Sequence, residues 1–225
     1  MAGRPTCLIE YLPGVSLSHP TPAQARAAGE AMGDMHRALA DFGQVRANSM
    51  GVAAWRALFD RCGRDLDSIE AGLFDRVRPH VDAVLSAWPE GLPVSAIHAD
   101  LFPDNVLMLG DRVTGLIDFY FACTDIRAYD LAVMHGAWAF DADGRNYDAA
   151  VGGALIAGYA ARFGLSEAER AALPVLARGA ALRFFLTRAW DWLNTPADAL
   201  VTRKDPLAYL RRLERYAAGG EAIFA

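Results

Sequence analysis

Four polar residues in the middle of the chain have the types and spacing that phosphoryl transfer requires. His98, Asp100 and Asn105 form the pattern His-x-Asp-x4-Asn, and Asp118 follows an apolar triplet further along. Phosphoryl transfer leaves little covalent work for a protein and depends on a positioned nucleophile and on neutralised charge. A carboxylate beside the acceptor hydroxyl can orient that hydroxyl and accept its proton. Asp100 is the candidate for this role as general base.

Asn105 and Asp118 are candidate ligands for Mg²⁺. This cation prefers hard oxygen ligands and keeps several of its waters, which suits one amide oxygen and one carboxylate. Taken alone, each residue has an ordinary explanation. Asn105 could form a turn at the start of a strand, and Asp118 could be a carboxylate at the edge of a sheet after an apolar strand. The combined pattern is far more specific than any of its members and favours the functional interpretation.

A β-hairpin explains how Asn105 and Asp118 can meet. The apolar runs Val106–Leu109 and Val113–Asp118 flank Gly110-Asp-Arg112, which is typical of a hairpin turn. Asn105 enters the first strand and Asp118 ends the second, so we expect the two side chains to return to nearly the same place. A further short strand, Val94–His98, leads into the loop that carries Asp100.

Two further residues, His98 and Asp130, each admit two roles. His98 could take part in catalysis, or it could hold the loop backbone by hydrogen bonds, and the second interpretation is favoured. Asp130 could cap a helix, or it could form hydrogen bonds with the loop that carries Asp100 and support that loop. We favour support of the loop, because the loop must be rigid to keep Asp100 in place.

The rest of the chain is predicted to be mostly helical. Helical periodicity and cap signals predict helices from Thr21 to about Phe42 and over about 51–63, 66–88, 126–139, 146–163, 166–193 and 205–218. The predicted fold class is therefore α+β, mostly α-helical, with a small central β-hairpin region. A short strand-like run over residues 6–12 ends at Pro13-Gly14.

Composition excludes several classes of protein. The net charge is −5 and the basic residues are scattered, so a nucleic-acid partner is not expected. The chain contains neither an apolar run long enough to cross a bilayer nor a secretory signal pattern, which predicts a cytoplasmic protein without a membrane partner. The three cysteines are widely spaced and are predicted to be buried free thiols.

At these residues the chain resembles a known family. Residues 94–140 are similar to the aminoglycoside-phosphotransferase-like superfamily, which is related to protein kinases. More narrowly, the motifs around Asp100 and Asp118 resemble homoserine kinase of the kinase-fold type. Leu8-Ile-Glu-Tyr-Leu-Pro-Gly14, the run 182–196 and Lys204-Asp-Pro206 are also similar to that family. The resemblance covers nearly the whole chain.

The resemblance implies ATP-dependent, Mg²⁺-dependent phosphorylation of the side-chain hydroxyl of L-homoserine, a step toward threonine. It makes Asp100 the base and Asn105 and Asp118 the magnesium ligands. It also implies that the hinge backbone around Glu10 and Leu12 meets the adenine, with Leu107 and Ile117 beneath it. One departure from the family is Ala99, where relatives commonly have Gly.

A second departure concerns the lobe that covers the nucleotide. The chain has a single lysine, Lys204, and no glycine-rich phosphate loop. We therefore interpret residues 1–14 as the hinge strand of a missing N-terminal lobe and residues 15–225 as the catalytic C-terminal lobe. The chain alone is expected to be inactive or weak, with possible association through its exposed hinge side. Two alternatives stay open: a non-catalytic binding module, and a phosphotransferase for another hydroxyl acceptor, such as an aminoglycoside or choline.

A homoserine acceptor carries a carboxylate and an ammonium, so an arginine and an acidic group should face the cleft. Arg183 and Arg188 lie in a strongly apolar helical run, where an arginine is costly unless it is paired. They could capture the substrate carboxylate. They could instead form structural ion pairs, for instance Arg188 with Asp191.

Overall fold

The structure is a computed structural model that describes residues 10–196, 199–200 and 202–224. These residues form seven α-helices and four short β-strands, which confirms the predicted fold class. The helices are α1 Pro22–Ala38, α2 Val52–Cys62, α3 Leu73–Ala87, α4 Arg127–Trp138, α5 Ala149–Arg162, α6 Glu167–Asn194 and α7 Leu207–Gly219. The strands are β1 Val94–Ile97, β2 Val106–Leu109, β3 Arg112–Leu116 and β4 Cys123–Ile126.

The helix starts follow local capping chemistry. Thr21 and Gln24 form the capping box of α1, and Ser166 and Glu169 form that of α6. In each box the side chain of the first residue accepts from a backbone amide and the second side chain reaches back to the cap. These two cap predictions are confirmed, and they fix where the two longest helices begin.

The predicted single helix over residues 66–88 is wrong. The chain forms a short 3-10 helix over Gly63–Ser68, and α3 begins only at Leu73. Gly72 separates the two with a φ of 77°, a left-handed conformation that cannot continue a right-handed helix.

Two small antiparallel sheets hold the loops in the middle of the chain. Strands β2 and β3 form the predicted hairpin, in which Val106 lies opposite Leu116. Strand β1 pairs with β4, with Ile97 opposite Cys123, and β4 was not predicted. The segment before α1 is joined to the hairpin, because the backbones of Val15 and Met108 exchange two hydrogen bonds of 3.0 Å. Residues 6–9 of the predicted strand-like run lie outside the described residues.

The helices pack into one apolar core beneath these sheets. Helix α1 lies close against α5, and Gly29 and Gly158 face the backbone of the other helix at this contact. A side chain at either glycine would collide with a carbonyl group, so the close approach requires glycine there. Cys62 and Cys123 are buried free thiols, as predicted. In the described part of the chain, no helix combines the length and the apolar character needed to cross a membrane.

Candidate active site

The loop that follows β1 is held from below by one buried carboxylate. Asp130, on α4, is fully buried, and its two oxygens accept hydrogen bonds from the backbone amides of His98 and Ala99 at 2.8 and 2.7 Å. Both amides lie just before Asp100, so the backbone that carries Asp100 is fixed at two points. This contact is of the kind predicted for Asp130.

A buried histidine completes the support of Asp130. His36 Nε2 lies 3.1 Å from Asp130 Oδ2, and His36 Nδ1 lies 2.9 Å from the hydroxyl of Tyr159. Burial alone would raise the pKa of Asp130. The hydrogen bonds from His36 and from the His98 amide outweigh burial and hold this pKa below its ordinary value. The carboxylate under the loop therefore stays ionised, and it connects α1, α4 and α5 to the loop.

The loop is also held from the side, in a conformation that is unusual for alanine. Ala99 is fully buried and has a φ of 63°, in the left-handed region. The guanidinium of Arg183 donates a hydrogen bond to the Ala99 carbonyl, and the Trp138 indole donates to the Leu101 carbonyl at 3.0 Å. Several contacts thus maintain a backbone geometry that an isolated alanine would rarely adopt.

His98 is buried, and the backbone uses both of its ring nitrogens. Nε2 lies 2.9 Å from the Ile117 carbonyl, and the Asp100 amide donates to Nδ1 at 3.3 Å. A carbonyl can only accept, so these partners assign the ring proton to Nε2. The ring therefore ties the loop to the residue before Asp118.

The hairpin brings Asn105 and Asp118 together as predicted. The Ile117 amide donates to the Asn105 carbonyl at 3.0 Å, and Asp118 follows with a left-handed φ of 64°. The Asn105 side-chain amide donates to the Asp100 carbonyl at 2.8 Å, which directs its nitrogen into the loop. Because this hydrogen bond uses only the side-chain nitrogen of Asn105, the side-chain oxygen remains available as a metal ligand.

These donors fit Mg²⁺ held together with phosphates. The described residues contain no group of three or more His, Cys, Asp or Glu side chains that could enclose a metal ion. Mg²⁺ in phosphotransferases usually takes one or two protein oxygens and completes its shell with waters and substrate phosphates. One exposed carboxylate, Asp118, beside one amide oxygen, Asn105, is such a donor set.

The predicted base, metal ligands and arginines line a common cavity of about 360 Å³, which we call the polar cleft. Its walls come from the catalytic loop, the turn after β3, α6 and the segment before α7. The lining residues are Met50, Asp100, Phe102, Asp104, Asn105, Asp118, Phe121, Arg183, Phe184, Thr187, Arg188, Asp191 and Lys204. Burial raises the pKa of Asp100, and the positive charge of Arg183 opposes this rise.

A second cavity, of about 780 Å³, lies beside the hairpin and is mostly apolar; we call it the apolar cleft. Glu10, Tyr11 and Leu12 form one wall, and the hairpin and the turn after it form the other. The hairpin side consists of Leu107, Leu116, Ile117, Asp118 and Phe119. All four residues expected to meet the adenine line this cavity. Asp118 lines both clefts.

The two predicted arginines have different surroundings. Arg183 is only 3% exposed, lies over the ring of Phe184 at 4.4 Å and donates to the catalytic loop. Arg188 is half-buried, lies over Tyr209 at 4.5 Å and donates to the Asp205 carbonyl at 3.3 Å. The suggested ion pair between Arg188 and Asp191 is absent from the described part of the chain, where Arg188 meets only that carbonyl and the aromatic ring.

The residues of the polar cleft that were not predicted as site residues include two charged ones, Asp191 and Lys204. Asp191 lies one turn beyond Arg188 on α6, and Lys204 lies in the segment between α6 and α7. The expectation of an acidic group facing the cleft could have pointed to Asp191. For Lys204 the sequence gives no such signal, because no local pattern relates it to the residues around Asp100.

Comparisons with known proteins place the chain in a family. The family described as "Phosphotransferase enzyme family" matches residues 2–173. The homoserine kinase of Zymomonas mobilis is 52% identical over 217 residues, which are 96% of this chain and 68% of the relative. That of Methylorubrum populi is 51% identical over 222 residues, which are 99% of this chain and 69% of the relative. The chain thus spans about two thirds of the length of these curated relatives.

Solved structures share the fold. The macrolide 2'-phosphotransferase MphH of Brachybacterium faecium has a TM-score of 0.59 at 21% identity, covering 89% of this chain and 68% of that one. The choline kinase of Cryptosporidium parvum has a TM-score of 0.65 at 12% identity, covering 95% of this chain and 70% of that one. At these identities the likeness concerns the fold alone. From the sequence relatives and the family match together, the chain belongs to the phosphotransferase enzyme family and, within it, to the homoserine kinases.

Proposed function

We propose that this chain transfers the γ-phosphoryl group of ATP to the side-chain hydroxyl of L-homoserine, with Mg²⁺ as the cofactor. The observation that carries the proposal is the position of Asp118 between the two clefts. An apolar cavity suited to a flat heterocycle and a charged cavity containing a candidate base meet at a carboxylate. A phosphotransferase requires the end of the triphosphate, the cation and the acceptor hydroxyl to meet at one point.

Asp100 is proposed to act as the general base. Its carboxylate lines the polar cleft, while the backbone on either side of it is fixed by Asp130, Arg183 and Asn105. In the reaction the acceptor oxygen forms a bond to the γ-phosphorus, and the bond from that phosphorus to the β–γ bridging oxygen breaks. The hydroxyl proton passes to Asp100. A base held this rigidly loses little entropy on reaching the reactive geometry.

Asn105 and Asp118 are proposed to hold Mg²⁺, which when bound would neutralise charge on the phosphates. His98 is proposed as a positioning residue: it ties the base-carrying loop to the carbonyl before Asp118. In the apolar cleft, Leu107 and Ile117 are proposed to contact one face of the adenine. The backbone near Glu10 and Leu12 would supply its hydrogen bonds.

The assignment of the acceptor rests on two facts. The relatives with about half of their residues identical are homoserine kinases, and the polar cleft contains both arginine and aspartate side chains. A cleft with both signs of charge suits an acceptor that carries both a carboxylate and an ammonium. Arg183 and Arg188 were the candidates for the carboxylate. Arg188 is preferred, since Arg183 is buried and already donates to the loop.

The test is a panel of acceptors with Mg²⁺ and ATP. The chain is assayed alone and also joined to the part of the Zymomonas mobilis relative that the alignment leaves uncovered. ADP release and phosphate-ester formation, followed by phosphorus NMR, are measured with L-homoserine, choline and an aminoglycoside. We expect phosphorylated homoserine and no other ester from the joined form, and little or no product from the chain alone. A preference for choline or the aminoglycoside would reject the acceptor assignment. Binding of Mg²⁺–ATP by calorimetry without turnover in either form would favour a non-catalytic binding module.

A further inference from the structure

One face of α6 carries two opposite charges into the polar cleft. Phe184, Thr187, Arg188 and Asp191 all line that cleft, and their spacing of three and four residues places them on one side of the helix. Phe184 is in the core, whereas Asp191 is exposed. The charged part of this face therefore lies at the open end of the cleft.

Among the residues that the structure describes, neither charge forms a direct ion pair, although the carboxylates of Asp205 and Asp100 are near enough to act on the charge of Arg188. Arg188 donates to a backbone carbonyl, that of Asp205, and its guanidinium lies over Tyr209. Burial lowers the pKa of Arg188, which reports partial removal from water. Burial likewise raises the pKa of Asp191, without a neighbouring cation that offsets it. Both groups would therefore gain from a ligand that supplies the opposite charge.

The spacing of the two groups fits a particular class of ligand. Residues three apart on a helix are neighbours, with about 5–6 Å between their Cβ atoms. An α-amino acid carries its ammonium and carboxylate on one carbon atom, so it presents opposite charges at short separation. The planar guanidinium of Arg188 can accept a carboxylate through two parallel hydrogen bonds. The carboxylate of Asp191 can accept from an ammonium.

We propose that Asp191 and Arg188 form the pair on α6 that recognises the α-ammonium and α-carboxylate of the acceptor. Asp191 thereby determines specificity for amino acids over simple alcohols. This inference rests on the proposed function and names the residues that select its acceptor. With the α-carbon held at α6, the acceptor hydroxyl extends across the cleft toward Asp100. Arg188 is close enough to Asp100 for their charges to interact.

The experiment combines two enzyme variants with two truncated acceptors. Asp191→Asn removes the negative charge and keeps the shape, and Arg188→Gln removes the positive charge. The acceptor 4-hydroxybutyrate lacks the ammonium of homoserine, and 3-amino-1-propanol lacks the carboxylate. All are assayed in the form of the protein that turns over L-homoserine, with ATP saturating.

For Asp191→Asn we expect kcat/KM for L-homoserine to fall by about tenfold to a hundredfold, which is the usual effect of losing a hydrogen bond to a charged group. With 4-hydroxybutyrate the same variant should match the wild type, because this acceptor has no ammonium to lose. For Arg188→Gln we expect a comparable fall with L-homoserine and no change with 3-amino-1-propanol. The KM for ATP should stay the same in both variants.

Matched controls are Asp60→Asn on the exposed face of α2 and Arg170→Gln on the exposed first part of α6; both should behave as wild type. If a variant lost as much kcat/KM with its truncated acceptor as with homoserine, the proposed pairing of that residue with the acceptor charge would be overturned. An unchanged kcat/KM for homoserine would overturn it as well. If Lys204→Ala, rather than Arg188→Gln, produced the carboxylate-specific loss, the Arg188 half would be rejected. A wild type that phosphorylates no homoserine would instead reject the proposed function, so the two failures are distinguishable.

Discussion

The two clefts that meet at Asp118 are built in opposite ways. The apolar cleft is lined mostly by apolar side chains of the hairpin and of the segment before α1, where Leu12 packs on Gly115. The polar cleft contains most of the charged groups of the site, and its central loop is held by buried hydrogen bonds to Asp130 and Arg183. A flat ring can be bound mainly by contact area with a few hydrogen bonds, whereas proton transfer and charge recognition require atoms fixed in position.

This comparison predicts that changes in the polar cleft act on rate and changes in the apolar cleft act on nucleotide affinity. The largest effect is expected for Asp100→Asn, which should lower kcat by about 10²–10⁴ because the acceptor proton loses its base. Nucleotide binding, measured by calorimetry, should be unchanged. Asp111→Asn in the hairpin turn removes the same charge from an exposed position and serves as the control.

Asp100 should also make the reaction rate depend on pH. Burial raises the pKa of Asp100, and only its ionised form can accept a proton. The rate should therefore fall as the pH decreases, with a midpoint above about 3.9, the pKa of an ordinary aspartate. A plot of kcat/KM against pH tests this expectation, and a flat profile on the acid side would argue against Asp100 as the base.

The second prediction concerns how the polar cleft is supported. Asp130→Ala leaves the His98 and Ala99 amides and the His36 ring without their acceptor, which should lower the free energy of unfolding by about 3–5 kcal/mol. The pKa of Asp130 is held low in the folded state, so its contribution is present at neutral pH and is lost as the pH falls below about 4.

Urea unfolding at about pH 7 and about pH 3.5 measures both parts of this prediction. The stability difference between wild type and Asp130→Ala should narrow at the lower pH. Asp60→Ala, at an exposed site, should leave stability nearly unchanged at both. A difference that stays constant with pH would show that the ionised carboxylate is not what holds the loop.

The third prediction concerns the apolar cleft. Leu12 packs directly on Gly115 of β3, so a side chain at residue 115 would occupy the space that Leu12 fills. Gly115→Val should displace Leu12 and raise the Kd for ATP by about tenfold, a typical cost of overpacking. The KM for the acceptor should not change. Gly43→Val, where a side chain meets open space, is the control. A raised acceptor KM would mean that the two clefts are not independent.

The smallest effect is expected at Ala99. Its left-handed φ of 63° costs an alanine about 1–2 kcal/mol, while glycine adopts this conformation freely. Glycine also loses more entropy on folding, so Ala99→Gly should raise the free energy of unfolding by about 0.5–1 kcal/mol. Urea unfolding measures this change in the free energy of unfolding, and kcat should be unchanged. A loss of stability would indicate that the buried methyl group matters more than the backbone conformation.

Local patterns in the sequence predicted the polar cleft well. The hairpin around Gly110 and the meeting of Asn105 with Asp118 follow from two apolar runs and a turn, and the structure contains both. Caps placed the starts of α1 and α6. These features depend on residues close together in the chain, where propensity and hydrogen bonding decide the conformation.

Features that depend on distant residues were missed. Strand β4 is four residues long and exists because it pairs with β1, a contact that no local pattern reports. The helical periodicity over 66–88 concealed the break at Gly72. For Arg183 the sequence left substrate binding and a structural role open, because the direction of its side chain depends on a carbonyl in a loop far away in sequence.

The long helix α6 has a consequence for how acceptor preference could change over time. Its buried turn, at Arg183, donates to the backbone beside Asp100, and a later turn, with half-buried Arg188 and exposed Asp191, lines the polar cleft. Mutations on the outer turn could therefore explore new alcohols while the chemistry stays intact. One helix thus carries both the residue that supports the loop of Asp100 and the pair proposed to recognise the acceptor, which makes the outer turn the natural starting point for redesign.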